Sequence, residues 1–265
     1  MSTFVLLHGV PGSPATWRHV AAHLEPRHVV LRPALVGFAG QPLAADADGL
    51  LAPAQAEHVL RELDAAGVDR AVVVGHDFGG PVAAHLWRLA PQRVEALALL
   101  STNAFPDTPV PFPLSTVRWP VIARLASAAL FSAPSLAGMA LVGTGRPWRM
   151  PDVRAAVGGR RQRRAIATVF GESLRRLTEL YAPVQLALST VTVPTHVAWG
   201  TRDPFFSVEL GRRTAALVPG ATFSVHDGAG HYLPEERPAE VARELEALAV
   251  LSARGPRARG RAATA

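Results

Sequence analysis

The chain has 265 residues, 49% of them hydrophobic, with a net charge of +6 and no cysteine. That length fits one large α/β domain with a modest insert, and it is enough to bury a real core. Without cysteine there is no disulfide, no thiol nucleophile, no thiolate-bound zinc and no iron–sulfur cluster. Lysine is absent too, so all 27 basic residues are arginine, and Schiff-base chemistry, including lysine-bound pyridoxal phosphate, is excluded.

The charge is uneven. Arg254, Arg257, Arg259 and Arg261 lie in a Gly/Ala/Pro tail with no acid after Glu246, and Arg160, Arg161, Arg163 and Arg164 form a second cluster. No aromatic residue interleaves the tail arginines, so both clusters read as solvated surface and no nucleic-acid partner is expected. The opening "MSTFVLLHGV" has neither the basic lead nor the apolar run of a signal peptide, and the protein reads as cytoplasmic.

Thr3 to Leu7 predicts a buried strand, followed by the turn "HGVPGSP". Ser13 is placed to cap a helix from Pro14 to about Leu24. His28 to Leu31 is a short strand, and a Pro/Gly-rich loop follows through Gln41. Ala52 to Ala66 is an amphipathic helix with Val59, Leu60 and Leu63 on one side, ended by Gly67. Arg70 to Gly75 is a central strand, Phe78 to Leu89 a helix, and Val94 to Leu100 another strand. This alternation implies a mostly parallel sheet with helices on both faces.

The rhythm breaks near Pro106. From there to about Thr190 the chain is helical or irregular and reads as an insertion. Within it, Leu125 to Gly145 is uncharged and long enough to span a bilayer. Pro134, three serines and flanking arginines favour an apolar lid over a pocket, without stable membrane insertion. The alternation then resumes with a strand at Thr195 to Trp199, a helix at Val208 to Leu217, a strand at Ala221 to Val225 and a final helix from Pro238 to about Leu251.

Three motifs stand in the contexts their chemistry requires. "GHDFGG" follows a strand and opens a helix, which lifts Asp77 to the tip of a sharp turn. "WGTRDPFF" puts Asp203 just after a strand, and "GAGHYLPEERP" puts His231 in the loop after the last strand. A fourth, "HGVPGS", offers the backbone N–H of Val10 to pair with that of Phe78 as an oxyanion hole. Nucleophile, acid and histidine in this order resemble the α/β-hydrolase superfamily over nearly the whole chain.

The resemblance implies a core of residues 1–103 and 191–251 and a helical cap over 104–190, while composition alone makes 252–265 a basic disordered tail. It also implies a sheet shortened at its N-terminal edge, because such proteins usually have one or two strands ahead of the one leading into "HG".

An aspartate at the elbow is similar to the epoxide-hydrolase and haloalkane-dehalogenase branch. A carboxylate is a poor acyl acceptor, since the product would be an anhydride, but it suits displacement at a saturated carbon. His231 then activates water against the resulting ester, with Asp203 orienting the imidazole. Halide release would need N–H donors, yet Phe78 and Val10 occupy the places where the resemblance supplies them. An epoxide needs a proton donor for the leaving oxygen. Only two tyrosines exist, and Tyr232 adjoins His231 outside the cap, so the candidates are Tyr181, Trp119 and Trp148.

The expected reaction is therefore epoxide opening on a hydrophobic small molecule, with water as co-substrate and no cofactor. The alternatives are a haloalkane dehalogenase and a non-catalytic or biosynthetic accessory protein. No metal-ligand spacing is present. His8 and His76 read as packing residues, Asp107 as surface, and Glu235 and Glu236 as a solvated first turn. A homodimer is left open.

Overall fold

The computed structural model describes residues 1–110, 112–119, 121–144 and 156–254. Six strands form one sheet: β1 (Thr3–Leu7), β2 (Val29–Leu31), β3 (Ala71–His76), β4 (Val94–Leu100), β5 (Thr195–Gly200) and β6 (Thr222–His226). Their order is β2-β1-β3-β4-β5-β6, and every neighbouring pair is parallel.

The described α-helices are α1 (Arg18–Leu24), α2 (Ala52–Ala65), α3 (Gly79–Leu89), α4 (Ala123–Leu130), α5 (Ala133–Val142), α6 (Arg160–Arg175), α7 (Leu177–Ser189), α8 (Val208–Leu217), α9 (Leu233–Glu236) and α10 (Pro238–Ala253). The expected helix from Pro14 begins instead as a 3₁₀ turn over Pro14–Trp17, with Ser13 Oγ accepting the N–H of Ala15 at 3.2 Å. α10 runs to Ala253, so the start of the segment expected to be disordered is helical. Residues 255–265 of that tail lie outside the described residues.

Period-two alternation sorts the strand side chains onto two faces. Phe4, Leu6, Val72, Val74, Ala96 and Ala98 meet α1 and α10 on one side. Val5, Leu7, Ala71, Val73, Leu97 and Leu99 meet α2, α3 and α8 on the other. Every residue of β3 is buried, as a central parallel strand covered on both faces requires.

β1 lies between β2 and β3, so the connections after β1 and after β2 run in opposite directions across the sheet. The crevice at the C-terminal ends of β1 and β3 is therefore the topological switch point, where open α/β sheets bind ligands.

Between β4 and β5 lie α4 to α7, which form the helical insertion. The long uncharged segment is not one rod. α4 and α5 are bent by 65° at Phe131–Ser132, and Ser132 Oγ caps α5 by accepting the N–H of Ser135 at 3.4 Å. Among the described residues no single helix is long and apolar enough to cross a membrane. The insertion is tied to the core through α7, where Trp87 Nε1 donates to Thr190 Oγ1 at 3.3 Å. α6 adds a second tie: Gln162 accepts the N–H of Ala39 at 3.1 Å and donates to the carbonyl of Gly12 at 3.3 Å.

Candidate active site

Asp77 stands at the crest between β3 and α3 with φ of 50°, in the left-handed region that side chains avoid. Its backbone is held from several directions. Its N–H donates to the Leu100 carbonyl at 3.1 Å, and its own carbonyl accepts Thr102 Oγ1 at 2.6 Å and the N–H of Gly80 at 3.0 Å. The crest depends on two close approaches. A Cβ on Gly79 would lie 2.3 Å from the Leu7 carbonyl oxygen, and one on Gly9 would lie 2.5 Å from Asp77 Cβ. Only glycine fits either place.

The two carboxylate oxygens of Asp77 have separate surroundings. Oδ2 accepts the N–H of Val10 at 2.6 Å, and the N–H of Phe78 also reaches the carboxylate. Oδ1 lies 3.8 Å from His231 Nε2. His231 Nδ1–H donates to Asp203 Oδ2 at 2.9 Å, which fixes the tautomer. Asp203 Oδ1 accepts the N–H groups of Phe205 and Phe206 at 2.9 and 3.0 Å. Asp77, Asp203 and His231 thus arrive from the C-terminal ends of β3, β5 and β6, and the structure brings all three together with Val10 and Phe78.

Electrostatics follow from burial opposed by partners. Burial pushes the His231 imidazole down, but the charge and hydrogen bond of Asp203, with the charge of Asp77, outweigh it and raise its pKa. Burial pushes Asp203 up, yet His231 and the two N–H donors hold it below the usual carboxylate range. Asp77 is raised: burial prevails over His231 and the Val10 and Phe78 N–H groups.

A cavity of about 120 Å³ lies between this crest and the insertion. Leu114, Met139, Val169 and Phe170 give it apolar walls, while Asp77 and His231 mark its polar end. Tyr181 on α7 lines it as expected, bonded to the side chains of Ser173 and Asn103.

Trp119 does not line the cavity. It is 55% exposed, because the 3₁₀ turn over Leu114–Arg118 points Leu114 and Val117 inward, three residues apart, and leaves Trp119 off that face. Trp148 lies outside the described residues. None of the four described tryptophans lines the cavity.

Several residues were missed or misread from the sequence. Tyr232 lies on the core, yet its ring lines the cavity beside Asp77. Burial and the Asp77 charge raise its pKa, as they do that of Tyr181, so both stay protonated phenols. Glu236 is not solvated: it is 3% exposed and accepts the N–H of Gly230, bracing the histidine loop. Glu235 pairs with Arg18 at 3.1 Å.

His76 packs as expected and also works on the site. Its Nε2–H donates to the His231 carbonyl at 2.9 Å, and burial drives its pKa to about 3, so it stays neutral. His8 is likewise neutral, with burial bringing it to about 4; Nδ1–H donates to Gly9 and Nε2 accepts Leu35 N–H. Asp107 is a surface residue, paired with Arg213 at 2.9 Å. From the insertion, the carbonyl of Gly143 accepts the backbone N–H of His231 at 2.6 Å.

Comparison with known proteins agrees with this fold. An uncharacterised protein of Mycobacterium tuberculosis is 28% identical over 250 residues, covering 89% of this chain and 71% of the relative. Epoxide hydrolase A of the same organism is 28% identical over 288 residues, covering 91% and 88%. Among solved structures, epoxide hydrolase CorEH superposes with a TM-score of 0.76 at 22% identity, over 94% of this chain and 92% of that one. Haloalkane dehalogenase DbeA from Bradyrhizobium elkani gives 0.81 at 19% identity, over 96% and 91%. The model of the alpha/beta hydrolase fold family matches residues 2–238, and the chain belongs to that family.

Proposed function

We propose that this hydrolase-fold chain opens epoxides of hydrophobic molecules through an ester formed on Asp77. The observation that carries the reading is the division of labour at the Asp77 carboxylate. One oxygen rests on the Val10 N–H while the other stands on the side of His231. The relative named epoxide hydrolase A, similar over most of both chains, supports it.

In the first step Oδ1 attacks an epoxide carbon, the ring C–O bond breaks, and the freed oxygen takes a proton from Tyr181 or Tyr232. The charge of Asp77 raises the pKa of both phenols. Forming the ester removes that charge, so proton donation becomes easier as attack proceeds. In the second step His231 Nε2 takes a proton from water, and the hydroxide adds to Cγ of Asp77. The oxyanion formed at Oδ2 is held by the N–H groups of Val10 and Phe78. Collapse expels the diol oxygen, which takes the proton from His231, and the proton left on the Asp77 carboxyl returns to the tyrosinate, restoring carboxylate and phenol. The balance is epoxide plus water to diol, and one oxygen of Asp77 now comes from water. Loss of the Asp77 charge also lowers the pKa of His231, so the imidazole becomes a free base when the water step needs it.

A single turnover in heavy-oxygen water, followed by peptide mass analysis, tests this directly. Label in the peptide carrying Asp77 is expected. Label in the diol alone would mean that water attacks the epoxide without an ester. Halide release from haloalkanes with no epoxide turnover would assign the site to dehalogenation.

A further inference from the structure

The insertion carries an apolar surface that neither the core nor the cavity uses. α4 reads ARLASAAL, with one charge, yet none of its residues is buried. Leu125, Ala128 and Ala129, at helical spacings of three and four, share one face, and all three are exposed. Amphipathic surface helices bury such a stripe and show their polar side to water; here the apolar stripe is the outer one. Next to it in the chain, Phe112 is 80% exposed, Trp119 55%, Val121 94% and Leu125 75%. An exposed apolar patch of this kind marks an interaction surface.

Charge narrows the partner. From Thr108 to Thr144 the chain has no acidic residue, while Arg118 and Arg124 are exposed within the patch. A second copy of this chain meeting the patch by two-fold symmetry would bring arginine against arginine, and the acids that share a surface hollow with Arg118, Asp107 and Glu179, are already paired with Arg213 and Arg176. Apolar side chains set among arginines suit the boundary of a bilayer with anionic headgroups, with aromatic rings at the interface and arginines at the phosphates. The patch also adjoins the cavity, because Val110 and Leu114 of the same stretch line its wall.

We propose that the outer face of the insertion, centred on Phe112, Trp119, Val121 and Leu125 and flanked by Arg118 and Arg124, docks on an anionic lipid surface. The docking is peripheral and reversible. It stands independently of the chemistry at Asp77.

The test is flotation of the full-length protein with vesicles of mixed phosphatidylglycerol and phosphatidylcholine, against phosphatidylcholine alone, at low and high salt. Binding to the anionic vesicles, weakened by salt, is expected. Leu125→Asp is expected to weaken binding about tenfold, and because Leu125 is exposed the fold should be kept, as circular dichroism would verify. Arg118→Gln with Arg124→Gln should weaken it about twenty-five-fold, since each arginine at an anionic surface strengthens binding about fivefold.

Replacing Arg257, Arg259 and Arg261 by serine separates the tail from the patch and should leave most binding in place. The proposal is overturned if the tail variant alone abolishes binding, if Leu125→Asp binds as the parent does, or if neutral vesicles bind equally well. It is also overturned if sedimentation shows a dimer that Leu125→Asp dissolves and the vesicles bind nothing.

Discussion

Replacing His231 by Gln separates the two halves of the proposed reaction. The carboxamide of Gln can still donate to Asp203, whose side chain is fully buried and keeps its two backbone donors. Local order should therefore survive. Attack by Oδ1 does not use the imidazole as a base: at 3.8 Å, Nε2 stands beyond hydrogen-bonding distance of that oxygen. The water step does use it, and loss of a general base costs roughly 10²–10⁴ in rate.

From a typical turnover of about 10 per second, a loss of about a thousandfold leaves an ester that decays over roughly a minute. Rapid quench and peptide mass analysis should then find about one substrate equivalent on the Asp77 peptide, after a burst of the parent's speed. Turnover that stops with no adduct on Asp77 would refute the reasoning, because ester formation would then need His231 or would not occur at that carboxylate.

Tyr181→Phe and Tyr232→Phe should each slow ester formation about tenfold, and the pair together about a thousandfold, since either phenol can serve while the other is missing; burst kinetics with an epoxide would show it. Gly79→Ala forces a methyl into the Leu7 carbonyl and should cost about 2 kcal/mol as overpacking, seen as a fall in Tm of about 5 °C. That strand end also carries Val10, so activity should fall further than stability. At the far edge of the sheet, His226 bridges Glu240 and Glu244 at 3.0 and 3.2 Å. Burial pushes His226 down, but the two carboxylates raise it overall. Its contribution to stability is thus full below the unfolded value near 6.5 and is lost as pH rises through the folded one. Burial pushes Glu244 up, but His196 and His226 bring it to about 2, so its contribution is present above the unfolded 4.5 and is lost as pH falls toward 2. The advantage of the parent over His226→Gln in thermal melts should therefore shrink from pH 6 to pH 9; an advantage independent of pH would refute the ionic account.

Most of the core could be read from the sequence because parallel strands buried on both faces are short continuous apolar runs, and turns between them are punctuated by Gly and Pro. Thr3–Leu7 and Val94–Leu100 have the expected bounds for that reason. Asp77, Asp203 and His231 were legible because each closes such a run at the same end of the sheet. Tyr232 was not. Which way its ring faces depends on Gly143, far off in the insertion, where an added Cβ would lie 2.5 Å from the ring. Glu236 was misread because "PEERP" resembles a solvated helix start. Its partner, the Gly230 N–H, is a backbone donor of a kind that carries no mark in a sequence. Trp119 failed as a cavity residue because the facing of a 3₁₀ turn inside an irregular stretch follows three-residue steps that the surrounding prolines obscure.

The bond from the His231 N–H to the Gly143 carbonyl joins a corner of the insertion to the residue proposed to carry the proton. Lifting the insertion there would strip a buried amide of its acceptor, at about 1–3 kcal/mol, and would pull the imidazole out of line with Asp203. For the proposed reaction the consequence is that this corner of the insertion has to stay seated, and substrate has to enter elsewhere along the rim, if His231 is to remain aligned with Asp203.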